Sequence, residues 1–370
     1  MALAAPRVTG TIIRLGLATL ALHLILIQPN HPGAMSWGAL FVFPLELPVI
    51  LLGLLAVGHS RFSSFIRAGL VGVLMLIALL KVADFSMFTA LGRHINPVAD
   101  MLLIEAGLRL AMGAIGLALT VLGVFGAVIA AALVAAALWW ATGVWAGTDP
   151  GRIPARLAGL TAVLCAGVAT AQIGHAMGRW DPPVSLPGAA FTARIGVERT
   201  LTIRETLVEL RAFNRAASED PFAERTEVLS SIDRNVLIVF VESYGRARFD
   251  TPLYAETHRS TLERSEERLA ALGLAMRSGF LSAPTRGGQS WLSHATFANG
   301  LWISDQTSYG AALASGRQTL FHHAARSGFH TAAVLPQITL DWPEADFMGF
   351  ETVLAADDLG YQGRPFNWVT

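Results

Sequence analysis

Glu242 is the first ionisable side chain after an unbroken apolar run, "VLIVFV" at 236–241. Branched and aromatic residues in such a run fit a strand covered on both faces, as in a parallel sheet between helix layers. A carboxylate at the carboxyl end of that strand stands where ligands bind in open α/β sheets. A divalent cation there would offset the cost of removing the charge from water. A solvated strand end, or a substitute for a helix N-cap, is the other reading. The second chemical feature is "SAPTRGGQSWLSHATFANG", 282–300. Its paired glycines let the backbone turn tightly and a substrate come close. Ser290 follows and opens a helical pattern. A helix N-terminus offers free N–H groups and the positive end of the dipole, which suit phosphate or sulfate. A hydroxyl beside a metal ion also loses its proton more readily and can attack phosphorus. Taken singly, Ser290 reads as a plain N-cap, with Thr285 and Ser293 as neighbouring hydroxyls, and its pairing with Glu242 shifts the reading toward chemistry.

The elements that must position these groups follow from periodicity. After the strand at 235–241, "THRSTLERSEERLAALG" (257–273) has helix formers and a glycine stop, and "LAMRSGFLSA" reads as a second strand. A helix begins near Ser290. "RQTLFHHAARSG" is another helix, with His322 and His323 read as surface or packing residues rather than metal ligands, and "FHTAAVLP" another strand. Strands alternating with helices predict a doubly wound α/β layer over 235–370.

The rest of the chain is of another kind. The 370 residues are 53% hydrophobic and only 15% charged, and the apolar residues crowd into the first half. Five stretches approach the roughly 20 apolar residues a bilayer span needs: 12–28, 39–58, 68–85, 113–140 and 157–174. They predict a five-helix transmembrane bundle over 1–178, followed by a juxtamembrane linker with an amphipathic helix over 179–234. Arg7 and Arg14, Arg61 and Arg67, and Arg152 and Arg156 all fall on one side of the membrane. The excess of positive charge there puts the N-terminus in the cytoplasm and everything after about residue 175 outside. In a bacterium this is a multi-pass protein of the inner membrane with a periplasmic or extracellular C-terminal domain. Inside the spans, His23 and Glu46 lie at similar depth, and Lys81 and Asp84 share a helix face. They either glue the bundle or line a notch for a lipid headgroup. The loop 88–113 has apolar residues at helical spacing with Arg, Asp and Glu between them. It either lies in the interface plane or simply connects. A net charge of zero and the lack of a basic stripe argue against a nucleic-acid partner. One cysteine, Cys165, permits no disulfide within the chain.

Taken together, "NVLIVFVESYGR" and "FLSAPTRGGQSWLSHATFANGL", preceded by five spans and followed by "GFHTAAVLPQITLDWPEADFMGFETVLAADDLGY", resemble the membrane-anchored sulfatase-like proteins of the alkaline phosphatase superfamily. Lipoteichoic acid synthases and phosphoethanolamine transferases belong to that group. The resemblance implies that Glu242 is a ligand of one divalent ion (Mn, Mg or Zn), that Ser290 is the nucleophile and also touches the metal, and that Trp342 is a substrate-side aromatic. It implies transfer of a phospho-headgroup from a membrane phospholipid to an envelope acceptor through a covalent phospho-enzyme, or hydrolysis of a sulfate or phosphate ester. Arg286 and Trp291 flank Ser290 as candidate headgroup contacts, Arg286 by charge complementarity to phosphate. A solvated loop arginine and a packing tryptophan are the alternative readings.

The sequence also departs from the group. Glu344 stands where a lipoteichoic-type synthase has the arginine of its Trp-x-Arg, and the cysteines of the phosphoethanolamine transferases are missing. The Cys/Ser-x-Pro-x-Arg signature of formylglycine sulfatases is absent, which favours a phosphotransferase over a sulfuric-ester hydrolase. No Asp-His dipeptide follows Ser290. The α/β sandwich expected over 235–370 is therefore read as incomplete at its C-terminal side and possessed of only part of its metal site. A non-catalytic, truncated membrane protein is the reading from another class.

Overall fold

The computed structural model describes residues 5–363 apart from 59, 102, 185, 186, 242, 243, 286, 287, 340, 341 and 343. The chain divides into two compact units, one running through Glu209 and the other from Leu210 onward.

The first unit is helical. Its long helices are α1 (Ala5–Ile27), α3 (Ser63–Leu91), α5 (Leu117–Ala146) and α6 (Arg152–Ala176), with α2 (Glu46–Val57) between the first two and α4 (Leu103–Ile115) before α5. α1, α3, α5 and α6 are long and apolar enough to cross a membrane. α5 is apolar around its whole circumference, with large side chains such as Leu122 and Phe125 facing outward, the mark of a helix solvated by lipid. Four of the five expected spans therefore stand as full-length helices.

The stretch expected to span at 39–58 differs. Residues Trp37–Phe41 form a 3-10 turn, and the α-helix that follows has only 12 residues. At 1.5 Å per residue it is about 18 Å long, well short of a bilayer's roughly 30 Å core. Pro44 limits it on one side, and Gly58, at φ 38°, ends it on the other. It packs closely along α6: a Cβ added to Gly159 would lie 3.2 Å from the Ala56 methyl. Small residues at this contact let the two backbones approach. The core of the unit gathers Leu22 and Leu26 of α1, Leu54 of α2, Leu74 of α3 and Leu138 of α5.

The predicted linker helix is α7 (Phe191–Ser218), and its first five turns belong to the first unit. In the second unit, α8 (Ala247–Asp250) and α9 (Pro252–Ala271) precede α10 (Ser290–Asn299), α11 (Gln306–Ala314) and α12 (Leu320–Arg326). Strand β1 (Ala332–Val334), α13 (Ala345–Met348) and β2 (Thr352–Leu354) complete the order. The two strands are parallel, with Ala333 opposite Val353. Parallel pairing demands a crossover between the strands, and α13 lies within it. The core here is Leu292, Ala295, Ile303, Tyr309 and Met348, with Phe321 and Phe350 against it.

The α/β expectation is met only in this fragment. Residues 235–241 and 274–283, expected as buried strands, join no ladder among the described residues. Leu237 is 87% exposed and Leu281 97%. The helix expected between them, 257–273, does form, as α9. A helix closes its hydrogen bonds within itself, whereas a strand needs a partner along its whole length.

Candidate functional site

Ser290 is the first residue of α10, behind Gly288 at φ 84°. That backbone conformation is one an L side chain rarely adopts, so the glycine is needed for the turn that delivers the chain to the helix. Ser290 is half-buried, and its hydroxyl makes no hydrogen bond to another described residue. The two neighbouring hydroxyls pair with each other: Thr285 Oγ1 and Ser293 Oγ share a hydrogen bond. Of the three, Ser290 is the one placed at the helix N-terminus without a described side-chain partner.

Trp291 and Trp342 are both half-buried against the core of the second unit. The Trp291 indole Nε1 donates to Gln306 Oε1 at 3.1 Å, tying α10 to the start of α11. The Trp342 ring lies 6.0 Å from that of Phe350. These contacts give each tryptophan a packing role. Glu242 and Arg286 lie outside the described residues. Phe240, two residues before Glu242, lies against His294 of α10 with ring centroids 4.3 Å apart and planes tilted by 40°, and meets Phe297 edge-on at 5.6 Å. The carboxyl end of the apolar run thus runs beside the helix that carries Ser290. A carboxylate and a hydroxyl are donors suited to a hard divalent ion, but two donors do not complete its coordination. Among the described residues no three ligand-type side chains converge.

α12 straps the segment after α7. Arg317, before α12, donates to the carbonyls of Asn299 at 3.0 Å and Glu219 at 2.9 Å. Arg326 donates to the Ala223 carbonyl at 2.7 Å and to His323 Nδ1 at 2.6 Å. Thr319 caps α12 and forms a capping box with His322, whose Nδ1 accepts from the Thr319 N–H at 3.1 Å. Burial, then the Arg326 charge, pushes both histidines below the ordinary imidazole value. Both are hydrogen-bonded within the fold.

The first unit holds a buried polar seam. Lys81 and Asp84 are each 0% exposed. They do not pair with each other. The Lys81 ammonium donates to the carbonyls of Ile25 (3.3 Å) and Leu26 (3.0 Å) and to Thr192 Oγ1 (2.7 Å), and lies over the Phe191 ring. Asp84 accepts from Arg199 at 2.6 Å, from Asn30 Nδ2 at 3.2 Å and from the Ile95 N–H at 2.9 Å. Glu46 caps α7 from a distance, accepting from the Ala193 N–H at 2.9 Å. Further along, Asn96 Nδ2 donates to Thr206 Oγ1 at 2.8 Å. Thr192, Arg199 and Thr206 recur every seven residues, so one face of α7 meets the end of the bundle through polar contacts. Lys81 and Asp84 are enclosed by protein, and these contacts tie α7 to the bundle. His23 Nε2 lies 3.2 Å from the Leu40 carbonyl. Sequence reasoning found Glu46, Lys81 and Asp84 but missed their partners on α7. The seven-residue recurrence of Thr, Arg and Thr in an otherwise charged helix was the available signal.

Together the fold and these sites define a helical protein with membrane-spanning-length apolar helices and a separate polar unit. Comparison with protein-family models, with curated proteins and with solved structures yields no match.

Proposed function

We propose that the chain is a membrane-anchored phosphotransferase of the bacterial inner membrane, with its N-terminus in the cytoplasm and its second unit outside, a topology in which residues 37–57, the 3-10 turn together with the short α2, make the fifth crossing. It moves a phospho-headgroup from a lipid donor to an envelope acceptor. The observation that carries this reading is the Ser290 hydroxyl at the N-terminus of α10, behind a positive-φ glycine and without a described side-chain partner. The arginines at 61, 67, 152 and 156 support the orientation. The parallel β1–β2 pair supports an α/β fold for the second unit. Ser290 Oγ attacks phosphorus, the bond from phosphorus to the diacylglycerol oxygen breaks, and that oxygen takes up the proton Ser290 releases. The acceptor hydroxyl oxygen then attacks the phospho-serine, the bond from phosphorus to Ser290 Oγ breaks, and Ser290 Oγ takes up the proton the acceptor releases. Glu242 and Ser290 would hold a divalent ion, which supplies charge neutralisation at the phosphoryl oxygens. Free backbone N–H groups of the first turn of α10 bind those oxygens as well.

The test is mass spectrometry of the peptide carrying Ser290 after incubating the purified full chain with phospholipid vesicles and a divalent metal. A headgroup-phosphate adduct on Ser290, lost in Ser290→Ala, is expected. An aldehyde at that position would instead identify a sulfuric-ester hydrolase. An unmodified Ser290, together with no release of diacylglycerol, would remove the catalytic reading.

A further inference from the structure

The helix α4 has no residue buried by protein. Apart from Glu105 and Arg109, its large side chains are nevertheless apolar. Ile104, Leu108, Met112 and Ile115 recur at helical spacing down one stripe, and Ile104 and Ile115 are each 54% exposed. Leu103 and Leu110 widen the apolar arc. Glu105 and Arg109 form an ion pair one turn apart and occupy the remaining arc with Gly113. A helix that presents this arc to water would expose several large apolar groups with nothing to offset the cost.

Two features identify what covers it. The first is length: 13 residues make a helix about 20 Å long, too short to cross a roughly 30 Å hydrocarbon core. The second is continuity. α4 is joined to α5 by Gly116 alone, at φ 84°, a conformation that lets the chain change direction between the two helices. Immediately beyond the hinge, Leu117 and Leu122 begin the outward apolar surface of α5, the most apolar of the four helices of membrane-spanning length. The exposed face of α4 is therefore contiguous in the chain with a surface that lipid solvates.

We infer that α4 is a monotopic helix that lies in the membrane plane beside the start of α5, with the Ile104–Leu108–Met112–Ile115 stripe among the lipid acyl chains and the Glu105–Arg109 pair at the headgroups. Its partner is the boundary of headgroup and acyl chain in one lipid leaflet, entered to about 5–10 Å. Glu105 and Arg109 cancel in charge, so burial of apolar area holds the helix and anionic lipid is not required. The inference rests on the membrane reading of the first unit and not on any chemistry at Ser290.

The test uses the full chain with Cys165→Ala, reconstituted into phosphatidylcholine vesicles. An environment-sensitive fluorophore is attached at Leu108→Cys in one sample and at Arg109→Cys in another. Vesicles carry lipid with a spin-label quencher near the headgroup end of the chain or near its middle. The Leu108→Cys probe is expected to lose most of its fluorescence to the shallow quencher, less to the deep one, and little to aqueous iodide. The Arg109→Cys probe is expected to respond to iodide. Adding anionic lipid should leave both patterns unchanged. Equal iodide quenching at both positions would overturn the inference in favour of a water-exposed connector. Quenching of the Leu108→Cys probe by no agent would overturn it in favour of a protein cover such as a second copy. Strongest quenching by the deep label would overturn it in favour of an inserted segment. Ile104→Cys, on the same stripe, carries the same test should Leu108→Cys fail to fold.

Discussion

Arg199 of α7 reaches across 115 residues of sequence to Asp84 of α3, its Nη2 2.6 Å from the Asp84 carboxylate. Neither side chain has appreciable contact with solvent. Removing one partner of a buried pair leaves an uncompensated charge, which costs about 3–5 kcal/mol. Asp84→Ala is therefore expected to lower the stability of the first unit by that amount, measured by unfolding in detergent micelles. The swap Asp84→Arg with Arg199→Asp should restore only part of it, because Asn30 Nδ2 and the Ile95 N–H also donate to Asp84. Full restoration would show that the pair acts alone.

Lys81 tests the other end of the seam. Lys81→Met removes the donor shared by the Ile25 and Leu26 carbonyls and Thr192. Unsatisfied buried acceptors cost about 1–3 kcal/mol, less than a stranded charge. Hydrogen exchange should speed up over the first two turns of α7, while the turns around Thr206 stay protected. Unchanged exchange in those first turns would mean that the start of the helix is held by Glu46, by Gln172 Oε1, which accepts from the Ala190 N–H at 2.9 Å, and by the Thr192 hydroxyl, which donates to the Leu26 carbonyl at 2.7 Å.

The histidines of α12 predict a loss of stability in acid. Both are held below the ordinary value of about 6.5 in the folded state. The unfolded chain therefore binds protons first as pH falls, and the folded state is disfavoured from about pH 6.5 downward until the folded histidines titrate. Protonation at Nδ1 would break the acceptance from Thr319 by His322 and from Arg326 by His323. Exchange of α12 amides should speed up below that pH. In His322→Gln, which keeps an acceptor at the N3 position of the capping box, the pH dependence should be shallower. An unaltered profile would assign it to His323 alone.

The contact between α2 and α6 predicts a steric effect. Gly159→Val places branched carbon where 3.2 Å already separates a single Cβ from the Ala56 methyl. Overpacking at such a site costs about 1–3 kcal/mol. Ala56→Gly in the same chain should recover part of it. Recovery absent from the double variant, read in the same unfolding measurement, would move the clash elsewhere.

Trp291 separates packing from substrate contact. Trp291→Phe loses the hydrogen bond to Gln306 and should cost about 0.5–1.5 kcal/mol. Under the transfer reaction proposed for Ser290, a packing role predicts an unchanged KM for the lipid donor, and a headgroup contact predicts a raised one.

Much of the fold was legible because its signals are local. The spans at 12–28, 68–85, 113–140 and 157–174 appear as α1, α3, α5 and α6, since a long apolar helix satisfies its backbone within itself and needs only length and composition to be recognised. The helix start near Ser290 was legible for the same reason, announced by the glycines before it, and the helix within "RQTLFHHAARSG" by its helix formers and glycine stop. At the candidate site, the type and position of Ser290 came from the sequence. That Thr285 and Ser293 consume each other, leaving Ser290 apart, is a matter of three-dimensional distance.

What the amino-acid order determined by itself is the division into an apolar helical half and a polar half, together with the helices whose hydrogen bonds close locally. The tertiary structure alone decided where the buried charges of the first unit find partners. It also decided that α2 is a short helix laid along α6, and that the run at 236–241 stays without a ladder among the described residues. Each of those depends on groups far apart in the chain, so no periodicity within a single segment can encode it.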